Sequence, residues 1–249
     1  MTGLTAAGAE QLTIPADPGG FTPAEVAGVD EPVRRYFTAA IAPGTPLART
    51  ARLRIDGTIR FGNRWIPYRA AELLAPLHGY QWPASVAWGL LRGSDMYVDG
   101  DATMEWKLLG LVPVVRADGP DVARSAAGRA AAEAVWVPTA LLPRYGVRWH
   151  ADSDDHLVAD LPIGGQRVTV HVGIDPDAHV RSVHLDRWTD PDGTGDFGWY
   201  PFGFDATGTQ AFACGLTVPA QGVGGWFHGT DRWNEGLFMR YAIRDVTLA

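Results

Sequence analysis

The chain has a single cysteine, Cys214, among 249 residues. One thiol allows no intramolecular disulfide and no cysteine-based zinc site, and its simplest role is that of a small buried apolar residue. Lysine is equally scarce. Lys107 is the one example, so arginine supplies nearly all the positive charge. Positive charge is itself in deficit, 21 basic against 28 acidic residues for a formal net charge of −7. Such a surface is unsuited to nucleic-acid phosphates, and no nucleic-acid partner is expected. No stretch approaches the ~20 consecutive apolar residues of a membrane-spanning helix. Residues 1–20 lack the basic start and apolar run of a secretory signal, which leads to the expectation of a cytoplasmic protein. Catalytic signatures are missing too: there is no P-loop, no nucleophile elbow and no His-Glu-x-x-His. Gly222-Val223-Gly224-Gly225 lacks the strand–turn–helix setting that dinucleotide binding needs. No cofactor is expected.

What is present describes a globular β protein. The hydrophobic fraction of 46% and charged fraction of 20% are ordinary for a folded domain, and the length suits one large β domain. Ten tryptophans are the compositional oddity. Such rings fill cores, and they also line cavities that hold large apolar or cationic ligands.

Residues 1–20, rich in Ala, Gly, Pro and Thr, read as a flexible leader to a single domain over 21–249. Thr22-Pro23-Ala24-Glu25 has the form of a capping box with proline at the first helical position. A helix from Glu31 to Ile41 is predicted from Val33, Phe37 and Ile41 at helical spacing. The period then changes to two. Leu53, Ile55, Ile59 and Phe61 alternate with charged residues, Gly62-Asn63 supplies a hairpin turn, and a partner strand follows from Arg64. A strand from Tyr80 to Leu91 places Tyr80, Trp82, Val86, Trp88 and Leu90 on one face. Short strands follow at 94–98 and 103–109. A helical insertion at about 119–142 opens on Gly119-Pro120 and is alanine-rich. Strand rhythm resumes at 146–151, 156–161, 166–174 and 179–188, weakly at 205–213 and 223–228, and strongly over 236–248. The sum is a mainly β (α+β) chain of about eleven or twelve antiparallel strands. A sheet that long curls, because twist accumulates and open edges are a liability. A half-barrel with N-terminal helices and one mid-chain helix covering it follows, and that shape can enclose a ligand cavity.

Several residues could carry chemistry. His171 and His184, with Asp186, lie opposite apolar rows on neighbouring strands. They are either a solvated outer face or an acid–base pair lining a cavity. On the central helix, Arg129 and Glu133 are four apart and can pair. Arg124, Gly128 and Ala132 form a slim ridge that would let the helix lie close to a sheet. A buried arginine there needs an acceptor, either a protein carboxylate or an anionic ligand. Asp190, Asp192 and Asp196 alternate as in a calcium loop, but Thr194 and Pro201 stand where further oxygen ligands belong, and Asp-Pro-Gly sequences also simply make turns.

Further blocks are distinctive: Trp106-Lys107-Leu108-Leu109-Gly110-Leu111-Val112-Pro113-Val114, then Gly119 to Arg129 with Glu133 and Trp136. Asp192-Gly193-Thr194-Gly195 with Trp199 and Gly229-Thr230-Asp231-Arg232-Trp233 complete the set. From about Phe21 to the C-terminus they resemble a bacterial family known only as a domain of unknown function. Strand count and mid-chain helix are similar in shape to the half-barrels of LolA-type lipoprotein carriers. The resemblance implies no established activity; if the family's motif residues cluster for a functional reason, the candidates are Lys107, Arg124, Arg129, Glu133, Trp199, Asp231, Arg232 and Trp233.

The expectation is a binding module, monomeric or a small homo-oligomer. It would hold a lipid-like or polycyclic molecule in a cavity walled by Trp82, Trp88, Trp106, Trp199 and Trp233, with Lys107, Arg124, Arg129 or Arg232 meeting an anionic group. The alternative is a cofactor-independent cyclase, isomerase or hydrolase using the same cavity, with Glu133, His171, His184 or Asp231 moving protons.

Overall fold

The computed structural model describes residues 6–191 and 193–249. Four helices are present among them: α1 (Ala6–Leu12), α2 (Glu31–Ala40), α3 (Pro120–Glu133) and the single turn α4 (Trp233–Gly236). The strands of the first half are β1 (Asp17–Gly20), β2 (Pro46–Leu47), β3 (Ala51–Phe61), β4 (Arg64–Ala75), β5 (Gly79–Val86), β6 (Leu91–Val98), β7 (Asp101–Leu108) and β8 (Val112–Asp118). Those of the second half are β9 (Arg148–Ser153), β10 (His156–Ile163), β11 (Gln166–Ile174), β12 (Val180–Thr189), β13 (Gly198–Ala211), β14 (Thr217–Trp226) and β15 (Leu237–Leu248).

Thirteen strands form one antiparallel sheet in the order β8-β7-β6-β5-β4-β3-β15-β14-β13-β12-β11-β10-β9, and β1 pairs with β2 apart from it. The last strand enters beside β3, so the C-terminus joins two meanders into one surface. Alternation sets which face is inward. In β3, Ala51, Leu53 and Ile55 are buried, while Arg52 and Arg54 between them are exposed. The same rhythm buries Tyr80, Trp82, Ala84 and Val86 of β5, Val170 and Val172 of β11, and Val183 and Leu185 of β12. The inner rows curl around α3, which packs against β5, β6, β7 and β8 on one arm and β10, β11 and β12 on the other. Gly128 makes that approach possible: a Cβ there would meet Arg187 Cγ at 2.9 Å. The large curved sheet with its central helix is therefore the architecture that strand periodicity predicts.

Several details differ from expectation. The Tyr80–Leu91 segment is two strands. Ala87 and Trp88 take left-handed φ values of 51° and 56°, the chain turns at a short 3-10 segment, and Trp88 leaves the inner row to stand 90% exposed. Strand β8 and helix α1 were not foreseen. Helix α1 lies in the predicted leader and covers the outer side of β4 to β6, where Leu12 packs on Leu73 and Ala75. Thr22 makes no side-chain cap, and Pro23–Val26 is a 3-10 turn. Its Glu25 pairs with Arg144 at 3.2 Å instead of closing a box.

Candidate functional site

Inside the curl, α3 carries its charge into the core. Arg129 donates from Nε to Glu133 Oε1 at 2.9 Å and from Nη1 to Asp95 Oδ2 at 3.0 Å, with Glu72 Oε1 3.7 Å from Nη2. Its guanidinium lies 4.4 Å from the Tyr80 ring centroid and 4.7 Å from that of Trp82. Trp106, whose ring covers Gly93, donates Nε1–H to Asp95 at 2.9 Å. Burial works against the Arg129 charge, but Glu133 and its other neighbours more than offset this and raise its pKa further. Glu72 shows the opposite problem. Burial first, then the Glu133 charge, lift its carboxyl well above the usual range despite Arg129. Both Glu72 oxygens and Glu133 Oε2 lack a donor. An O–H on Glu72 Oε2 donated to Glu133 Oε2 would satisfy one oxygen of each, leaving Glu72 Oε1 to face Arg129 Nη2 at 3.7 Å. Beside this cluster the stem of Arg187 passes under Gly128, and its Nε donates to the Ser125 carbonyl at 2.9 Å. Its guanidinium stacks on Phe202 and Trp226, and burial lowers it to about 10.

A neutral carboxylic acid beside a carboxylate is the make-up of a general acid and base. Here, however, Glu72, Tyr80 and Trp82 are all buried to 3% exposure or less, and Arg129 occupies the space between them. The arrangement binds α3 to β4 and β6, and it answers the question the sequence left open: the acceptors of the buried arginine are protein carboxylates. Glu72 and Asp95 were missed in the sequence. The available signal was a carboxylate in phase with an apolar row, Glu72 with Ala70 and Leu74, and Asp95 with Gly93 and Tyr97.

The open concavity lies on the other face. A groove of about 830 Å³ crosses the outer side of β15, β3, β4 and β5. Arg54, Arg69, Arg92 and Arg244 line it with a single carboxylate, Asp56, and Trp88 stands at its end. Asp56 is 3.4 Å from Arg244 and 4.0 Å from Arg69, and Arg54 is 3.5 Å from Asp245. Arg92 of the groove wall lies beside the β7–β8 hairpin, since a Cβ on Gly110 would stand 4.0 Å from Arg92 Cδ, and the Leu109 amide of that hairpin donates to the Leu90 carbonyl at 2.7 Å. From Leu108 to Val115 the hairpin has no polar side chain. Leu109, Leu111, Val112 and Val114 are each more than half exposed, as is Trp88.

The remaining sequence candidates are dispersed. Lys107 pairs with Glu105 at 3.2 Å on the hairpin. Arg124 stacks over Trp188, which also meets the half-exposed Trp199 edge to face at 5.2 Å. Arg232 pairs with Glu235 at 2.9 Å and lies over Phe227, Asp231 is exposed, and Trp233 sets its ring against His228. His171 and His184 pair directly across β11 and β12 on the outer face, away from α3. Asp190 accepts the amides of Thr194 and Gly195 at 3.2 and 2.7 Å, Thr194 lies 3.5 Å from Asp196, and Asp192 lies outside the described residues. No helix among the described residues is long and apolar enough to cross a membrane.

The family of unknown function DUF6544 matches residues 19–236. The chain belongs to that family. Curated proteins offer no match to this family member. Among solved structures it is similar to a LolA superfamily protein from Nitrosomonas europaea, with 9% identity, a TM-score of 0.47, and coverage of 88% of this chain and 92% of that one. It is also similar to a DUF1329 family protein from Desulfovibrio piger, at 10% identity and a TM-score of 0.46, covering 88% and 94%. A domain described as an outer membrane lipoprotein-sorting protein, from Vibrio parahaemolyticus, matches at 9% identity and a TM-score of 0.46, covering 87% and 90%.

Proposed function

We propose that this DUF6544 member is a cytoplasmic binding module for an amphipathic molecule with a lipid-like body and an anionic head. The head enters the arginine-lined groove, and the body lies along Trp88 and the 108–115 hairpin. One juxtaposition carries the reading. In a chain of net charge −7, four arginines gather around a groove with one carboxylate, and one of them, Arg92, stands beside a hairpin whose exposed residues from Leu108 to Val115 are all apolar. A volume of about 830 Å³ is within the range of small-molecule sites. Arginine forks suit carboxylate and phosphate oxygens, and a contiguous exposed apolar patch marks an interaction surface. Trp82 and Trp106 are committed to the core around Arg129, so tryptophan contact with a ligand passes to Trp88.

The test has two arms, because the same chemistry belongs to a free fatty acid and to a lipid in a bilayer. Purified protein is titrated with cis-parinarate below its critical micelle concentration, and is separately sedimented with phosphatidylcholine vesicles containing phosphatidylglycerol. Saturable binding in either arm, weakened at least about tenfold (~1.4 kcal/mol) by Trp88→Ala with Arg92→Glu, supports the reading. The arm that responds identifies the source. Absence of binding in both, or binding indifferent to those substitutions, overturns it.

A further inference from the structure

On the outer face of the second meander, five strands align a row of imidazoles. Register places Val158 opposite both His150 and His171, His171 opposite His184, and His184 opposite Gly203. Gly203 contributes no side chain, and His228 fills its place. A Cβ there would sit 2.9 Å from His228 Cγ and 3.0 Å from His184 Cβ. Two residues along β10 from Val158, His156 joins the row. Its ring centroid lies 5.2 Å from that of His171 and 5.9 Å from that of His184, and the His171 and His184 rings are 4.7 Å apart.

We propose that His156, His171 and His184 form a binding site for a divalent transition metal of the zinc, nickel or copper class. One ring nitrogen from each lies within 4.8 Å of the others. Tetrahedral coordination at Zn–N distances of ~2.0–2.1 Å needs those nitrogens about 3.3 Å apart. Binding therefore requires the half-buried rings to tilt out of their near-parallel stack and draw the nitrogens together by up to about 1.5 Å. Cross-strand stacking alone leaves one observation without cause: His156 Nε2 and His171 Nδ1 are buried with no hydrogen-bond partner. An orphaned buried nitrogen costs about 1–3 kcal/mol, and a metal would satisfy both. One carboxylate stands beside the site: Asp152 is 3.6 Å from His156 Nδ1, where its negative charge favours a bound cation. The flanking His150 and His228 have carboxylate partners of their own, Asp152 at 3.3 Å and Asp205 at 3.0 Å. Imidazole donors without thiolate select borderline metals over magnesium or calcium. Trp233 of the Gly229–Trp233 block packs its edge on His228, so this block buttresses the row.

Untagged, chelator-treated full-length protein is titrated with zinc chloride by calorimetry. The expected result is one equivalent bound at about micromolar Kd or tighter, at least about 100-fold weaker in H171Q/H184Q and unchanged in H179Q. Because the double variant could fail to fold, the unaltered chain is also modified with diethyl pyrocarbonate with and without zinc. Protection of His156, His171 and His184, but not of His78 or His179, supports the site. Absence of zinc binding by the unaltered protein, binding retained in H171Q/H184Q, or no protection of the three histidines overturns it.

Discussion

Replacing Arg129 by methionine keeps most of its stem and removes its charge from the centre of the fold. The guanidinium is held by Glu133 at 2.9 Å and Asp95 at 3.0 Å, with Glu72 at 3.7 Å, and the residue is 9% exposed. Its loss leaves Glu133 and Asp95 without their cation, beside a Glu72 carboxyl that burial already pushes well above the usual range. Removing one side of a buried pair costs about 3–5 kcal/mol, since the partner charge stays buried. For a chain of this length each kcal/mol moves the melting temperature by about 2–4 °C, so a fall of about 6–20 °C is expected. The comparison that isolates the cause is a variant in which Arg129→Met is combined with Glu72→Gln, Glu133→Gln and Asp95→Asn. With no orphan charge left, it should recover a large part of the loss. Guanidinium unfolding followed by tryptophan fluorescence measures both. Arg129→Met within about 0.5 kcal/mol of the parent, the range of an ordinary surface substitution, would refute the assignment of this cluster as the clamp between α3 and the sheet.

Other expectations follow from the same geometry. The raised pKa of Glu72 means that its contribution to stability is fully present below the unfolded carboxylate value and is lost as pH rises through the folded one. Glu72→Gln should therefore flatten the fall in stability on the alkaline side, as seen in urea midpoints from pH 5 to 9; an unchanged pH slope contradicts the raised Glu72 pKa. Gly203→Val should destabilise by about 1–3 kcal/mol through overpacking and should displace His228, read from its side-chain NMR signals. Leu109→Glu with Leu111→Glu, both on the exposed hairpin, should change the unfolding midpoint by less than about 0.5 kcal/mol while abolishing cis-parinarate binding.

The strand rhythm was legible because inner and outer rows differ so sharply, as in Leu53 and Ile55 against Arg52 and Arg54. Helix α3 was legible from its alanines, and the Arg129–Glu133 pair from its spacing. Trp88 was misplaced because nothing in Val86-Ala87-Trp88 encodes two consecutive left-handed residues, a conformation that surrounding structure imposes on non-glycine residues. Strand β8 has no alternation, since Val112 to Val115 is apolar and exposed on both faces, and only pairing with β7 defines it. The cluster and the groove draw on residues far apart in sequence, Glu72, Asp95 and Arg129 in one and Arg54, Arg92 and Arg244 in the other. Which arginines share a surface depends on β15 entering beside β3, a pairing that local periodicity does not encode.

The most direct measurement of the binding account is photo-crosslinking of the purified protein with a diazirine-bearing palmitate analogue, followed by mass-spectrometric mapping of the labelled peptides. The account predicts label on the segment around Trp88 to Arg92 and on the Leu108–Val115 hairpin, competed away by unlabelled palmitate. Label confined to the β9–β13 arm, or label that palmitate does not displace, would contradict it.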